Sequence, residues 1–74
     1  MWIKFKNGIT VNMDSVIKYE KTQYGRGLLF FCNGLAFKLI FDSDQNRDEA
    51  INQIEIAISV NKKIHEIPIE AKTE

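Results

Sequence analysis

The sequence predicts an α+β domain, with a four- to five-stranded antiparallel sheet built first and one C-terminal helix packed on one of its faces. Three observations predict it. Residues 2–41 alternate apolar and polar side chains in short runs broken by turn residues, the period of half-buried strands. Two Asn-Gly pairs, Asn7-Gly8 and Asn33-Gly34, mark hairpins. From Asp44 onward the period becomes helical, with Ala50, Ile51, Ile54, Ala57 and Ile58 on one stripe.

The first hairpin joins a strand around Ile3 and Phe5 to one around Ile9, Val11 and Met13. A loop of Asn7-Gly8 alone would set Lys6 against Ile9 and Lys4 against Val11, mixing lysines into the apolar face. A loop of Lys6-Asn7-Gly8 sets Phe5 against Ile9 and Ile3 against Val11, which keeps one face apolar and so fixes the register. The glycine then supplies the left-handed residue of a bulged turn. Asp14-Ser15 interrupts the chain, because both side chains compete for nearby backbone. Val16 to Lys21 forms the next strand and Gln23 to Gly27 a loop. Leu28 to Cys32 and Leu35 to Phe41 then pair across Asn33-Gly34, with Cys32 facing Leu35, Phe30 facing Phe37 and Leu28 facing Leu39. Phe30, Phe37 and Leu39, with Ile51 and Ile54, are the expected core.

Asp42-Ser43-Asp44 supplies caps, and Asp48 and Glu49 suit the positive end of the helix dipole. The helix is expected over about residues 44–60. The domain is therefore read as residues 1–61, followed by a polar tail, 62–74, that is extended or partly disordered. The tail holds the only proline, Pro68, and the only histidine, His65.

Composition narrows the function classes. The 74 residues form one domain of ordinary globular makeup, 45% hydrophobic and 27% charged. No run approaches the roughly 18 apolar residues of a membrane span, and Met1 to Lys6 lacks the apolar stretch of a signal peptide. The expectation is a soluble, cytoplasmic protein. A single cysteine, Cys32, excludes an internal disulfide and reads as a small core hydrophobe. The charge sums to zero but is divided. Residues 1–41 carry six Lys and Arg against two acids, and residues 42–74 four against eight.

Motifs that would carry chemistry fail on inspection. Asp42 to Asn46 begins like a calcium-binding EF-hand loop, but Arg47 stands where that loop needs glycine and Gln53 where it needs glutamate. Gly25-Arg26-Gly27 lacks the Gly-Lys-Ser/Thr of a phosphate loop. One histidine supports neither a zinc site nor a nucleophilic triad. No catalytic residue, metal ligand or cofactor is expected, and the chain is not read as an enzyme.

The remaining candidate is the sheet face turned away from the helix. Strand alternation places Trp2, Lys4 and Lys6, and with them Leu29, Phe31, Lys38 and Ile40, on that side. So many large apolar groups imply a covered face. The cover is a second subunit or the tail. The candidate interaction face is thus Trp2, Lys4, Leu29, Phe31, Lys38 and Ile40, with Ile56 and Val60 on the helix as a secondary interface. The same mixture of aromatic and lysine side chains also suits a single-stranded nucleic-acid binder.

The Asn-Gly turn, Val11-Asn12-Met13-Asp14-Ser15-Val16-Ile17, the second Asn-Gly turn and the acidic lead into Asp48-Glu49-Ala50-Ile51-Asn52-Gln53-Ile54 together resemble the small FlbD-type proteins encoded among bacterial flagellar genes. They are also similar to short bacterial and phage proteins of uncharacterised role. The resemblance covers about residues 1–58. Its shared positions are turns, caps and core residues, which specify fold more than function. It implies a small accessory protein that acts through contacts. The function expected is a non-enzymatic interaction module that forms a homodimer. The alternatives are a nucleic-acid-binding or regulatory module, and a phage or mobile-element inhibitor of a host factor.

Overall fold

A computed structural model of the chain describes residues 1–73. In chain order the elements are β1 (Trp2–Phe5), β2 (Thr10–Asn12), a 3-10 turn (Met13–Ser15), β3 (Val16–Lys21), β4 (Gly27–Cys32), β5 (Leu35–Ile40), α1 (Asp44–Val60), β6 (Ile64–Ile67) and β7 (Lys72–Thr73). The class is α+β with one helix, and the strands divide between two sheets. One has the order β2-β1-β6 and the other β3-β4-β5-β7.

Both hairpins take the register that apolar pairing requires. Ile3 faces Val11, the Phe5 N–H donates to the Ile9 carbonyl at 2.8 Å, and Gly8 takes a φ of +94° that a side chain would resist. Across the second turn Cys32 faces Leu35, Phe30 faces Phe37 and Leu28 faces Leu39, with Gly34 at φ +78°. The Asp14-Ser15 break is the 3-10 turn, capped by the Asn12 side chain, which accepts from the Asp14 N–H at 3.1 Å.

The helix begins where its caps place it. Ser43 Oγ accepts from the Asn46 N–H at 3.0 Å, and at the other end Asn61 adopts the left-handed conformation that closes a helix. Ala50, Ile54 and Ala57 are fully buried, whereas Ile51 is half-buried and Ile58 exposed. Among the described residues, no helix is long and apolar enough to cross a membrane.

Residues 62–74, expected as a polar tail in extended or partly disordered form, are extended and packed as far as residue 73, and Glu74 lies outside the described residues. β6 runs parallel to β1, pairing Ile3 with His65 and Phe5 with Ile67. The Lys6 N–H then donates to the Ile69 carbonyl at 3.0 Å, and β7 pairs Lys72 and Thr73 with Ile40 and Leu39. The tail is not polar throughout: His65, Ile67, Ile69 and Ala71 alternate with exposed residues and are buried.

One core results. Ile3, Phe5 and Val11 come from the small sheet, Leu28, Phe30 and Leu39 from the large one, Ala50, Ile54 and Ala57 from the helix, and Ile67, Ile69 and Ala71 from the C-terminal segment. Phe41, where the chain leaves β5 for the helix, packs its ring 5.8 Å from that of Phe5 and so ties the two sheets.

Phe37 departs from expectation. Its ring stacks on Phe30 at 5.0 Å between centroids, yet the residue is 38% exposed. The helix explains this. Lys21 on β3 pairs with Asp48 at 3.1 Å, and Glu55 acts electrostatically on Tyr19, also on β3. The helix thus lies toward β3 and leaves the turn end of β5 uncovered.

Candidate functional site

The two sheets divide the expected interaction face. Trp2 and Lys4 lie on β1 in the small sheet, and Leu29, Phe31, Lys38 and Ile40 lie on β4 and β5 in the large one. The reason is the parallel β1–β6 pair, which gives β1 its own sheet instead of an edge of the other.

On the large sheet the strand registers set out the surface in rows. Lys18, Phe31 and Ala36 form one row and Glu20, Leu29 and Lys38 the next, with Ile40 beside Lys72 beyond them. Leu29, Phe31, Lys38 and Ile40 are all half-buried. The Lys18 ammonium sits 4.7 Å from the centroid of Phe31, a cation–π contact. Long charged side chains can cover apolar neighbours with their alkyl stems, and this arrangement lets Lys18 do so for Phe31. As far as residue 73, the C-terminal segment does not lie over this face. It joins the edges of β1 and β5 instead.

On the small sheet Trp2 is 46% exposed beside exposed Ile64, and Lys4 pairs across the ladder with Glu66. Lys4 and Glu66 border a shallow groove of about 580 Å³ with Phe5, Lys6, Ile67 and Pro68. Ile56 and Val60 are exposed on the helix.

The loop between β3 and β4 is held from several sides. Thr22 Oγ1 donates to the Tyr24 carbonyl at 2.8 Å and accepts from the Gly27 N–H at 3.2 Å. Arg26 donates to the Asp42 carbonyl at 2.7 Å, and Arg47 reaches from the helix to the Gly25 carbonyl at 3.1 Å. Arg26 is therefore engaged in fastening the loop to the start of the helix. Tyr24 projects from this braced loop at 83% exposure.

The acidic start of the helix is a charge network. Asp42 pairs with Lys72, and Arg47 pairs with Asp44 and Asp48. Hydrogen bonds from Lys21 and Arg47 hold the Asp48 carboxyl below its ordinary range. Among the described residues, no three His, Cys, Asp or Glu side chains come together as metal ligands would. Tyr19 has its phenol pushed upward, first by burial and then by the nearby Glu55 carboxylate. Cys32 is a half-buried free thiol, and His65 is buried with Nε2 2.9 Å from Gln53 Oε1.

Sequence reasoning missed Leu35, Phe37, Ile17 and Tyr24 as exposed groups. For Leu35 the signal was present. It follows the turn directly, at the far end of the hairpin from the chain's exit toward the helix. For Ile17 it was not, because a register shift between Val16 and Lys18 turns that side chain out. The chain matches no family model, no curated protein and no solved structure.

Proposed function

We propose that this chain is a small non-enzymatic interaction module that works in the cytoplasm and self-associates as a homodimer. The observation that carries the reading is apolar exposure. Among the described residues, nine large apolar side chains are exposed: Trp2, Ile17, Tyr24, Leu35, Phe37, Ile56, Ile58, Val60 and Ile64. Single exposed apolar residues are ordinary, but here Leu35 and Phe37 lie two apart on one strand, and Ile56 and Val60 four apart on the helix, so the exposure is grouped. The division of charge along the chain adds an electrostatic reason for two copies to meet, although exposed ion pairs contribute little energy. The resemblance to FlbD-type accessory proteins supports the same class.

The nucleic-acid alternative has less support. The Lys18 ammonium already lies over Phe31, and Trp2, the other aromatic of the expected face, lies on the other sheet, so the two do not form one stacking platform. Light scattering across a concentration series tests the proposal. A mass rising toward twice 8.6 kDa supports it, while a mass that changes only when single-stranded DNA is added would replace it with the nucleic-acid reading.

A further inference from the structure

We infer that Asn33 is a site of covalent self-modification. Its carboxamide closes on the peptide nitrogen of Gly34, loses ammonia and opens with water to an aspartyl or isoaspartyl residue, while the chain's other Asn-Gly pair, Asn7-Gly8, is held against the same reaction.

The chemistry asks three things of such a pair. The carboxamide must turn onto the next residue's nitrogen, that nitrogen must lose its proton, and the next residue must not crowd the ring that forms. Glycine meets the third condition at both turns. A Cβ built on Gly34 or on Gly8 would meet nothing within 4 Å, so a ring has room at each. Both asparagines are exposed as well. Space and accessibility therefore do not separate the two pairs, and hydrogen bonding does.

Asn7 is held at both ends of its carboxamide. Nδ2 donates to the Ala71 carbonyl, and Oδ1 accepts from the Ala71 N–H at 3.3 Å. Two bonds to one residue fix the plane of the group and aim it at the C-terminal segment. The Gly8 N–H donates to the Phe5 carbonyl at 3.0 Å, which opposes loss of its proton. Ring closure at Asn7 would break all three bonds.

Asn33 has no such restraint. Among the described residues, neither its carboxamide nor the Gly34 N–H makes a hydrogen bond. The turn is the reason. Asn33 keeps a negative φ and Gly34 takes +78°, the pattern of a type II turn. Its closing pair is Cys32 with Leu35, which leaves the middle peptide, and with it the Gly34 nitrogen, outside the ladder.

The steps balance without an oxidant or reductant. The Gly34 nitrogen gives up its proton and bonds to Asn33 Cγ. The Cγ–Nδ2 bond breaks, and Nδ2 leaves as ammonia with that proton. Water then adds to one carbonyl of the cyclic imide. Addition at Cγ breaks the new bond and leaves an aspartyl residue in the original backbone. Addition at the main-chain carbonyl breaks the former peptide bond, so the chain runs through Cγ and the main-chain carboxylate is free. Either product sets a negative charge beside exposed Leu35. The isoaspartyl product also adds a backbone atom to the turn and misaligns Cys32 with Leu35, whereas Phe30 and Phe37, farther from the tip, stay stacked.

The test compares the two sites within one chain. Folded protein and protein unfolded in guanidinium are incubated at mildly alkaline pH, then digested with pepsin in acid, which stops the reaction. Mass spectrometry with fragmentation locates the gain of about 1 Da that marks each modified site. In the folded chain Asn33 is expected to react about tenfold or more faster than Asn7, the order of effect that losing ordinary hydrogen bonds gives. In guanidinium the two rates should converge. A folded-state rate at Asn7 equal to that at Asn33 overturns the inference, and so does an Asn33 that reacts only when unfolded. Selectivity that persists unchanged in guanidinium overturns the part assigned to the Ala71 and Phe5 bonds.

Discussion

The side chain of Asn7 imitates a strand. Its Nδ2 donates to the Ala71 carbonyl and its Oδ1 accepts from the Ala71 N–H at 3.3 Å, linking the first hairpin turn to a residue 64 positions away. Ala71 is fully buried between Ile69 and β7. Its backbone polar groups therefore depend on this carboxamide in place of water. Asn7→Ala is expected to destabilise the protein by about 1–3 kcal/mol. Urea denaturation measures the loss, and native-state hydrogen exchange should show it first at residues 69–73. Equal loosening at β4 would show that Asn7 does not act on the C-terminal segment.

Phe30 and Phe37 stack on one another, yet truncating them should differ. Phe30 is fully buried, and Phe30→Ala is expected to cost about 3–5 kcal/mol, much of what a domain of this size holds. Phe37→Ala should cost distinctly less, because the half-open ring loses less burial. Chemical denaturation of the two variants side by side decides the matter, and equal losses would place the helix over β5.

Acid reveals the link between strand and helix. Asp48 is held low by hydrogen bonds from Lys21 and Arg47. A carboxylate depressed in the folded state contributes stability above its unfolded pKa and loses it as pH falls through the folded value. In Lys21→Ala the Asp48 carboxyl should titrate closer to its ordinary 3.8. A carboxyl-carbon NMR titration reads this directly, and an unchanged midpoint would assign the effect to Arg47 alone.

Alkali acts with the opposite sign. The Tyr19 phenol is raised above 10.0 by burial and by Glu55. Its contribution is complete below the unfolded pKa and is lost as pH rises through the folded one. Wild-type stability should therefore fall above pH 10.0 more steeply than that of Tyr19→Phe. Denaturation midpoints measured across that range check it, and parallel curves would contradict it.

The legible parts of the fold were local. Asn7-Gly8, Asn33-Gly34 and the Ser43 cap each state a turn or a helix start within a few residues, and the two hairpins and the helix follow from them. The small sheet was not legible as a unit, because a parallel pair such as β1 and β6 has no connecting turn to announce it. The alternation of His65, Ile67, Ile69 and Ala71 was visible, but Pro68 in its midst reads as an interruption. In the structure Pro68 falls just after β6, where no ladder bond is needed of it. The candidate face suffered from the same gap. Strand alternation placed each of Trp2, Phe31 and Ile40 on an outward side, but which outward sides adjoin depends on the long-range pairing.

The pairing of β1 with β6 also sets the order in which the molecule can assemble. β3, β4 and β5 are joined by short connections and can form as soon as they emerge from synthesis. β1 can pair with β2 at once, but its other edge must wait until Ile67 exists, about sixty residues later. Such distant closure slows folding relative to local pairing. That open edge is also where a chaperone or a misfolding neighbour can pair before β6 arrives.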